Sequence, residues 1–181
     1  MSNYRRSSMD GCAYFFTLVS YQRQKILCDE FIRSALRKAI KVTQIKYPFT
    51  VDAWVLLPDY LHCIWTLPAH DKDFSIRWSV IKRRVSVACA ECYKKDYLMN
   101  DSKLKHREST IWQRRFWEHQ IRDQNDFNRH LDYIHYNPVK HGLCKRPVEW
   151  RYSTLHRYMK NGVYPVDWAV RGGFDGEVSG E

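Results

Sequence analysis

The sequence predicts a single α+β domain, an antiparallel sheet with helices packed against it. Three observations carry this. Two apolar runs, Phe49 to Leu57 and Leu61 to Leu67, are joined by a short Pro58-Asp59-Tyr60 turn and read as an antiparallel pair. Three further stretches repeat their apolar residues with the helical period. The resulting order, strand-helix-strand-strand-helix-strand-helix, is the split βαβ pattern of ferredoxin-like folds.

Taken in order, residues 1–11 are polar and basic and read as a flexible arm. Cys12 to Tyr21 is rich in aromatic and β-branched residues and predicts the first strand. Asp29 caps a helix that runs to about Tyr47, with Ile32, Leu36, Ala39 and Thr43 inward, and Pro48 ends it. The strand pair follows. On its second member, period 2 puts Tyr60, His62, Ile64 and Thr66 on one face and Leu61, Cys63, Trp65 and Leu67 on the other. Ser75 is the expected cap of a second long helix, with Phe74, Trp78, Ile81, Val85 and Ala88 inward. Lys94 to Ser109 is charged and irregular and reads as an exposed loop. Ile111 to Arg122 returns to strand composition. A third helix spans about Gln124 to Asn137, stopped by Pro138, and Tyr152 to Lys160 forms a last short one. One domain is expected over 12–168, with a disordered Gly-rich tail over 169–181.

Composition narrows the function. The chain has 181 residues, enough for one buried core, and aromatics are 15% of it. No apolar run approaches the roughly 20 residues of a membrane span, and no signal-peptide pattern opens the chain, so a cytoplasmic protein without membrane contact is expected. The net charge is +10 and the pI about 9.4, which favours a polyanionic partner, nucleic acid first. Cys89 and Cys92 form a lone CxxC with no second pair at zinc-finger spacing, so zinc is not expected.

Two stretches carry candidate chemistry. Asp126, His130, Tyr133 and Asn137 recur at i, i+4, i+7 and i+11 and form one helical stripe, beside an apolar stripe of Phe127, Leu131 and Ile134. A tyrosine and an amide on one packed helix, with His62 on a buried strand, suit a metal-assisted nucleophile site. They equally suit plain packing. The basic residues form two groups: Arg77, Lys82, Arg83 and Arg84 on the second helix, and Arg114 and Arg115 among Trp112, Phe116 and Trp117. Both are candidate phosphate contacts. For the first, the alternative is a solvated face; for the second, core aromatics with solvated arginines.

Most of the chain resembles the REP-associated tyrosine transposases, single-strand-DNA nucleases with a His-hydrophobe-His motif. The likeness runs through Tyr14-Phe15-Phe16-Thr17, Trp54 to Asp59, Leu61 to Pro68, Asp73-Phe74-Ser75, Ile111 to His119, Asp132 to His135, Asn137 to Leu143 and Tyr164 to Trp168. It implies the ferredoxin-like fold, with Tyr133 as nucleophile and His62 and Asn137 as ligands of a divalent metal, Mg²⁺ or Mn²⁺. It implies a REP hairpin, single-stranded or hairpin DNA, as substrate, cut through a 5′-phosphotyrosine intermediate. A monomer acting in cis is expected rather than a dimer. His130 is a candidate proton shuttle, and Glu118 and His119 are candidates without an assigned role.

The departure is at Tyr60, where the family has the first motif histidine. A neutral phenol is a poor ligand for Mg²⁺. Three readings stay open: a weakened metal site with DNA binding kept, a rebuilt site, or an inactive copy. Two other classes of function also remain. One is a sequence-specific DNA-binding protein without catalysis. The other, an RNA-binding sheet, lacks its aromatic-plus-basic motif with glycine between the aromatics.

Overall fold

The computed structural model describes residues 12–165 and 167–169; the basic arm and nearly all of the tail lie outside them. A four-stranded sheet forms the centre: β1 (Ala13–Val19), β2 (Thr50–Leu56), β3 (Tyr60–Thr66) and β4 (Trp117–Gln120), in the order β2-β3-β1-β4. Every neighbouring pair is antiparallel. β1 and β2 therefore run parallel with β3 between them, as the split βαβ unit requires, and α1 (Glu30–Lys46) makes the crossover.

The sheet is buried on both faces, and period 2 sorts its side chains. Tyr14, Phe16, Leu18, Leu61, Cys63 and Trp65 join one core with α1 and α2 (Phe74–Ala88). There the Trp65 and Trp78 rings stack with centroids 3.9 Å apart. Phe15, Val55, Tyr60 and Ile64 join the other core with α5 (Gln124–Lys140) and α6 (Leu155–Lys160). Two short helices, α3 (Ala90–Tyr93) and α4 (Asp101–Lys105), lie between α2 and β4. No helix among the described residues is long and apolar enough to cross a membrane.

Five expectations are corrected, the last of them at Pro138. Asp73, not Ser75, caps α2: its carboxylate accepts from the Ile76 N–H at 3.1 Å. Ala88 is exposed, and Arg77 takes an inward place on that helix. The segment 94–109 is not a free loop. Lys103 is buried, and its ammonium donates to the Ser109 carbonyl at 2.9 Å and lies 3.8 Å from the Tyr21 ring centre. The strand expected over 111–122 shrinks to β4. Lys82 Nζ donates to the carbonyls of Gln113 (2.6 Å) and Arg114 (3.0 Å), so these two acceptors are held by α2 and not by a ladder.

Pro138 does not stop α5, which continues to Lys140. Proline removes one donor, the one that would bond the Ile134 carbonyl, and the helix continues past that gap for two residues. The end is a Schellman closure. Gly142 N–H donates to Val139 O at 2.9 Å, Leu143 N–H donates to Pro138 O at 2.9 Å, and Gly142 takes the φ of +67° that glycine adopts without strain.

His135 anchors α5 from the side away from the stripe. Its ring is fully buried, 5.2 Å from those of Tyr158 and Tyr164, with Nε2 3.0 Å from Thr154 Oγ1. Burial first, then the charges of Arg157 and His156, pushes its pKa down to about 3. An unfolded histidine titrates near 6.5, so below that value the unfolded chain binds a proton the folded one refuses. This group's contribution is complete above about pH 6.5 and is lost as pH falls towards 3, by at most about 1.4 kcal/mol per pH unit. Urea midpoints between pH 7 and 4 should fall more steeply for the wild type than for His135→Phe.

Candidate active site

α5 lies on the sheet with its polar stripe facing inward, meeting β4, β1 and β3 in turn. Asp126, His130, Tyr133 and Asn137 are all at most 5% exposed. Near β4, His130 stacks on His119 with ring centres 4.7 Å apart. Over β1, Phe15 lies 4.8 Å from the His130 ring and 6.1 Å from that of Tyr133. Over β3, the Tyr133 and His62 rings are 5.3 Å apart. At the last step, Tyr60 Oη donates to Asn137 Oδ1 at 3.0 Å in a buried hydrogen bond.

The strand register explains His62. Thr17 on β1 is its cross-strand partner, and Thr17 Oγ1 lies 2.8 Å from His62 Nδ1. Such a contact on one ring nitrogen fixes the orientation of the other. The stacked Phe15 ring, 5.3 Å away, holds the imidazole from one side.

The N-terminal half of the stripe forms a second cluster. Asp126 Oδ2 accepts from His119 Nε2 at 2.8 Å, from the Arg122 backbone N–H at 3.0 Å and from Arg122 Nε at 3.2 Å. Burial alone would raise this carboxyl; those donors hold it well below the usual carboxylate range. His130 Nδ1 lies 2.8 Å from the Asp126 carbonyl oxygen. A carbonyl only accepts, so Nδ1 carries the proton and Nε2 the lone pair. Burial lowers the His130 pKa and favours this neutral form. One ligand atom from each of His119, Asp126 and His130 lies within 4.8 Å of the others, a spacing that suits a metal ion.

The structure thus brings Tyr133, His62, Asn137 and Tyr60 together, with His130 and His119 adjoining. His130, the candidate proton shuttle, is buried. It passed over Thr17, Phe15 and Lys140. Lys140 Nζ lies 5.1 Å from the Tyr133 ring centre, seven residues along α5 and so on the same stripe. Glu118 is exposed on β4.

The basic candidates are not at this site. Arg77 is 1% exposed and spends its guanidinium on Asp71 (2.6 Å), the Pro48 carbonyl (2.8 Å) and the Asp73 carbonyl (2.7 Å). That removes it from any phosphate surface. Lys82 is turned to backbone carbonyls, and burial pulls its pKa down to about 8. Arg114 is paired with Glu108. Arg83, Arg84 and Arg115 are exposed, the first two on the helical layer across the sheet from Tyr133.

The resemblance places a divalent ion between position 60, His62 and Asn137. The donor set does not fit it. Of these three positions one carries an imidazole, the phenol is a neutral donor, and the amide oxygen already accepts that phenol's proton; a second imidazole, His141, has its ring 5.7 Å from that of Tyr60. A cation on Asn137 Oδ1 would first have to break this bond.

No protein-family model matches the chain. It is 44% identical over 170 residues to the REP-associated tyrosine transposase of Escherichia coli, covering 93% of this chain and 92% of that one. A Haemophilus influenzae protein given to the same group is 44% identical over 172 residues, with 93% of each chain covered. A solved REP-associated tyrosine transposase bound to a REP hairpin superposes with a TM-score of 0.77 at 41% identity, over 100% of this chain and 98% of that one.

Replacing the phenol should restore the missing ligand. Titration calorimetry with Mn²⁺ is expected to show at least tenfold tighter binding by Tyr60→His than by the wild type. Equal affinities would mean that Tyr60 does not hinder an ion here.

Proposed function

The chain belongs to the REP-associated tyrosine transposases, and from that membership we propose that it cuts and rejoins single-stranded DNA at REP hairpins with Tyr133 as the nucleophile. The observation that carries this reading is the stripe of α5, which sets the Tyr133 phenol beside His62 with Asn137 one turn further on.

In the proposed reaction the Tyr133 oxygen attacks phosphorus. The bond from phosphorus to the 3′ oxygen breaks, the 3′ oxygen leaves and takes up a proton, and a 5′-phosphotyrosine forms. A 3′-hydroxyl of another strand reverses the step, so joining needs no ATP. A free phenol titrates near 10 and is mostly protonated at neutral pH. We assign His62, whose ring is 5.3 Å from that of Tyr133, to take the phenol proton on Nε2 while Nδ1 donates to Thr17 Oγ1, and the Lys140 ammonium to offset the charge left on oxygen. Tyr133 is 2% exposed, so attack also requires its hydroxyl to open towards the DNA.

Family membership speaks for a metal-dependent nuclease. Positions 60, 62 and 137 do not fit an ion, so no step is routed through one. Among the described residues, ligand atoms also converge at His119 on β4 with Asp126 and His130 on α5. We further propose one domain over 12–168 and a monomer as the acting unit, on the ground that Tyr133 meets His62 within one copy of the chain.

A second reading, DNA binding without cleavage, is favoured by the Tyr60 to Asn137 hydrogen bond and by the burial of Tyr133. A denaturing-gel assay on single-stranded REP-hairpin DNA separates the two, run with Mg²⁺, Mn²⁺ or chelator. A covalent adduct with the wild type, absent with Tyr133→Phe and about 100-fold slower with His62→Ala, is the expected result. An adduct that survives Tyr133→Phe would remove Tyr133 from the reaction. A mobility shift without any adduct would establish the second reading.

A further inference from the structure

We propose that His119, held by the Asp126 carboxylate, gives the departing 3′ oxygen its proton and takes a proton back when a 3′-hydroxyl returns. This rests on the cleavage reaction proposed above and adds the acid that reaction lacks. His62 accepts the phenol proton on one side of phosphorus. It cannot in the same step supply a proton to the oxygen leaving on the other side, so a second group is required.

β4 sets His119 on the fitting face. Its cross-strand partner on β1 is Phe15, and the next pair along the same face is Trp117 with Thr17, the residue that holds His62. His119 therefore shares the sheet face of His62 and Tyr133, two strands over from β3. Its Nε2 lies 2.8 Å from Asp126 Oδ2. An ionised carboxylate only accepts, so Nε2 carries a proton and Nδ1 is the nitrogen left to exchange one with the DNA. The His119 side chain is 25% exposed, while the carboxylate behind it is buried. A buried carboxylate behind a reachable imidazole fixes the tautomer and offsets the imidazolium charge. The rings of Trp117 and His130 stack on that of His119 at 5.9 and 4.7 Å and limit its rotation.

Two other uses of this cluster fit less well. His130 is buried and gives its Nδ1 proton to the Asp126 carbonyl on its own helix; burial favours its neutral form, so it brings no proton to a leaving group. The distances would suit an ion, but the directions do not. The two imidazole planes are 15° from parallel, and in-plane lone pairs of stacked rings do not meet at one point. Arg122 and Arg129, 3.2 and 3.8 Å from the carboxylate, already supply positive charge.

The step balances. As the bond from phosphorus to the 3′ oxygen breaks, its electron pair stays on oxygen, which takes the Nδ1 proton and leaves a neutral imidazole. On return, Nδ1 removes the proton of the incoming 3′-hydroxyl as that oxygen attacks phosphorus, and the Tyr133 oxygen leaves with the proton held by His62. Asp126 touches no reacting atom and acts as a positioning residue.

The test replaces the bridging 3′ oxygen, at the position where the wild type cuts, with sulfur. A thiol titrates at about 8.5, so a thiolate leaves without an acid. Adduct formation on the oxygen and sulfur hairpins is timed for the wild type, His119→Gln, Asp126→Asn and His62→Ala, with circular dichroism to verify folding. Gln keeps a donor for Asp126, so His119→Gln decides the matter even where Asp126→Asn does not fold. His119→Gln and Asp126→Asn should be about 100-fold slow on the oxygen substrate and recover to about the wild-type rate on sulfur. His62→Ala, whose partner is the phenol, should stay slow on both. Equal slowing of His119→Gln on both substrates, or none on oxygen, overturns the inference. So does recovery of His119→Gln on the oxygen substrate with excess Mn²⁺, which would make the cluster an ion site. A wild type that forms no adduct removes the cleavage reading and this inference with it; a wild-type adduct without sulfur rescue of His119→Gln removes this one alone.

Discussion

The candidate site depends on a match between two repeat distances. On a helix, side chains at i and i+4 are about 5–6 Å apart. On a strand, side chains at i and i+2 are about 6.6 Å apart. Tyr133 and Asn137 on α5 therefore fall opposite His62 and Tyr60 on β3, pair against pair. The rings of the first pair are 5.3 Å apart, and the second pair is joined at 3.0 Å. A shift of one residue on either element would turn these groups away from each other. The apolar stripe of Phe127, Leu131 and Ile134, all fully buried, fixes the helix phase. The continuous burial of β3 fixes the strand phase.

Tyr60 uses this match differently from a histidine. Two imidazoles and an amide oxygen facing one point need a cation to offset their lone pairs. A phenol removes that need by donating its own proton to the amide. The buried polar groups are then satisfied within the chain, and such a bond is worth about 1 kcal/mol net. Sites that bind ions commonly hold mutually repelling donors, so a gain in stability and a loss of ion affinity go together.

Much of this was legible in the sequence, for a definite reason. Periodicity tells which residues share a face, and it placed Tyr60 with His62 and Tyr133 with Asn137 correctly. It does not tell what lies opposite. Arg77 has a basic residue's composition and a buried residue's position, because Asp71 and two carbonyls wait for it inside. Thr17 was invisible as a partner of His62, since only the β1–β3 register makes them neighbours. His119 became meaningful only once β4 ran beside β1, setting it near the start of α5. Pro138 misled because one missing N–H does not end a helix whose closing bonds, from Gly142 and Leu143 to the Val139 and Pro138 carbonyls, lie beyond it.

The order of groups along α5 has an electrostatic logic. The helix begins with an ionised Asp126 near its positive end and finishes with Lys140 near its negative end, both favourable to the macrodipole. Between them stand a neutral imidazole, the phenol and the amide. The carboxylate is answered by Arg122 and His119 on its own side. The Tyr133 ring instead has a lysine ammonium 5.1 Å from its centre. In the proposed reaction, negative charge developing on the phenol oxygen has that cation as its neighbour. That polarity is set by the sequence of α5 itself and is independent of what occupies position 60.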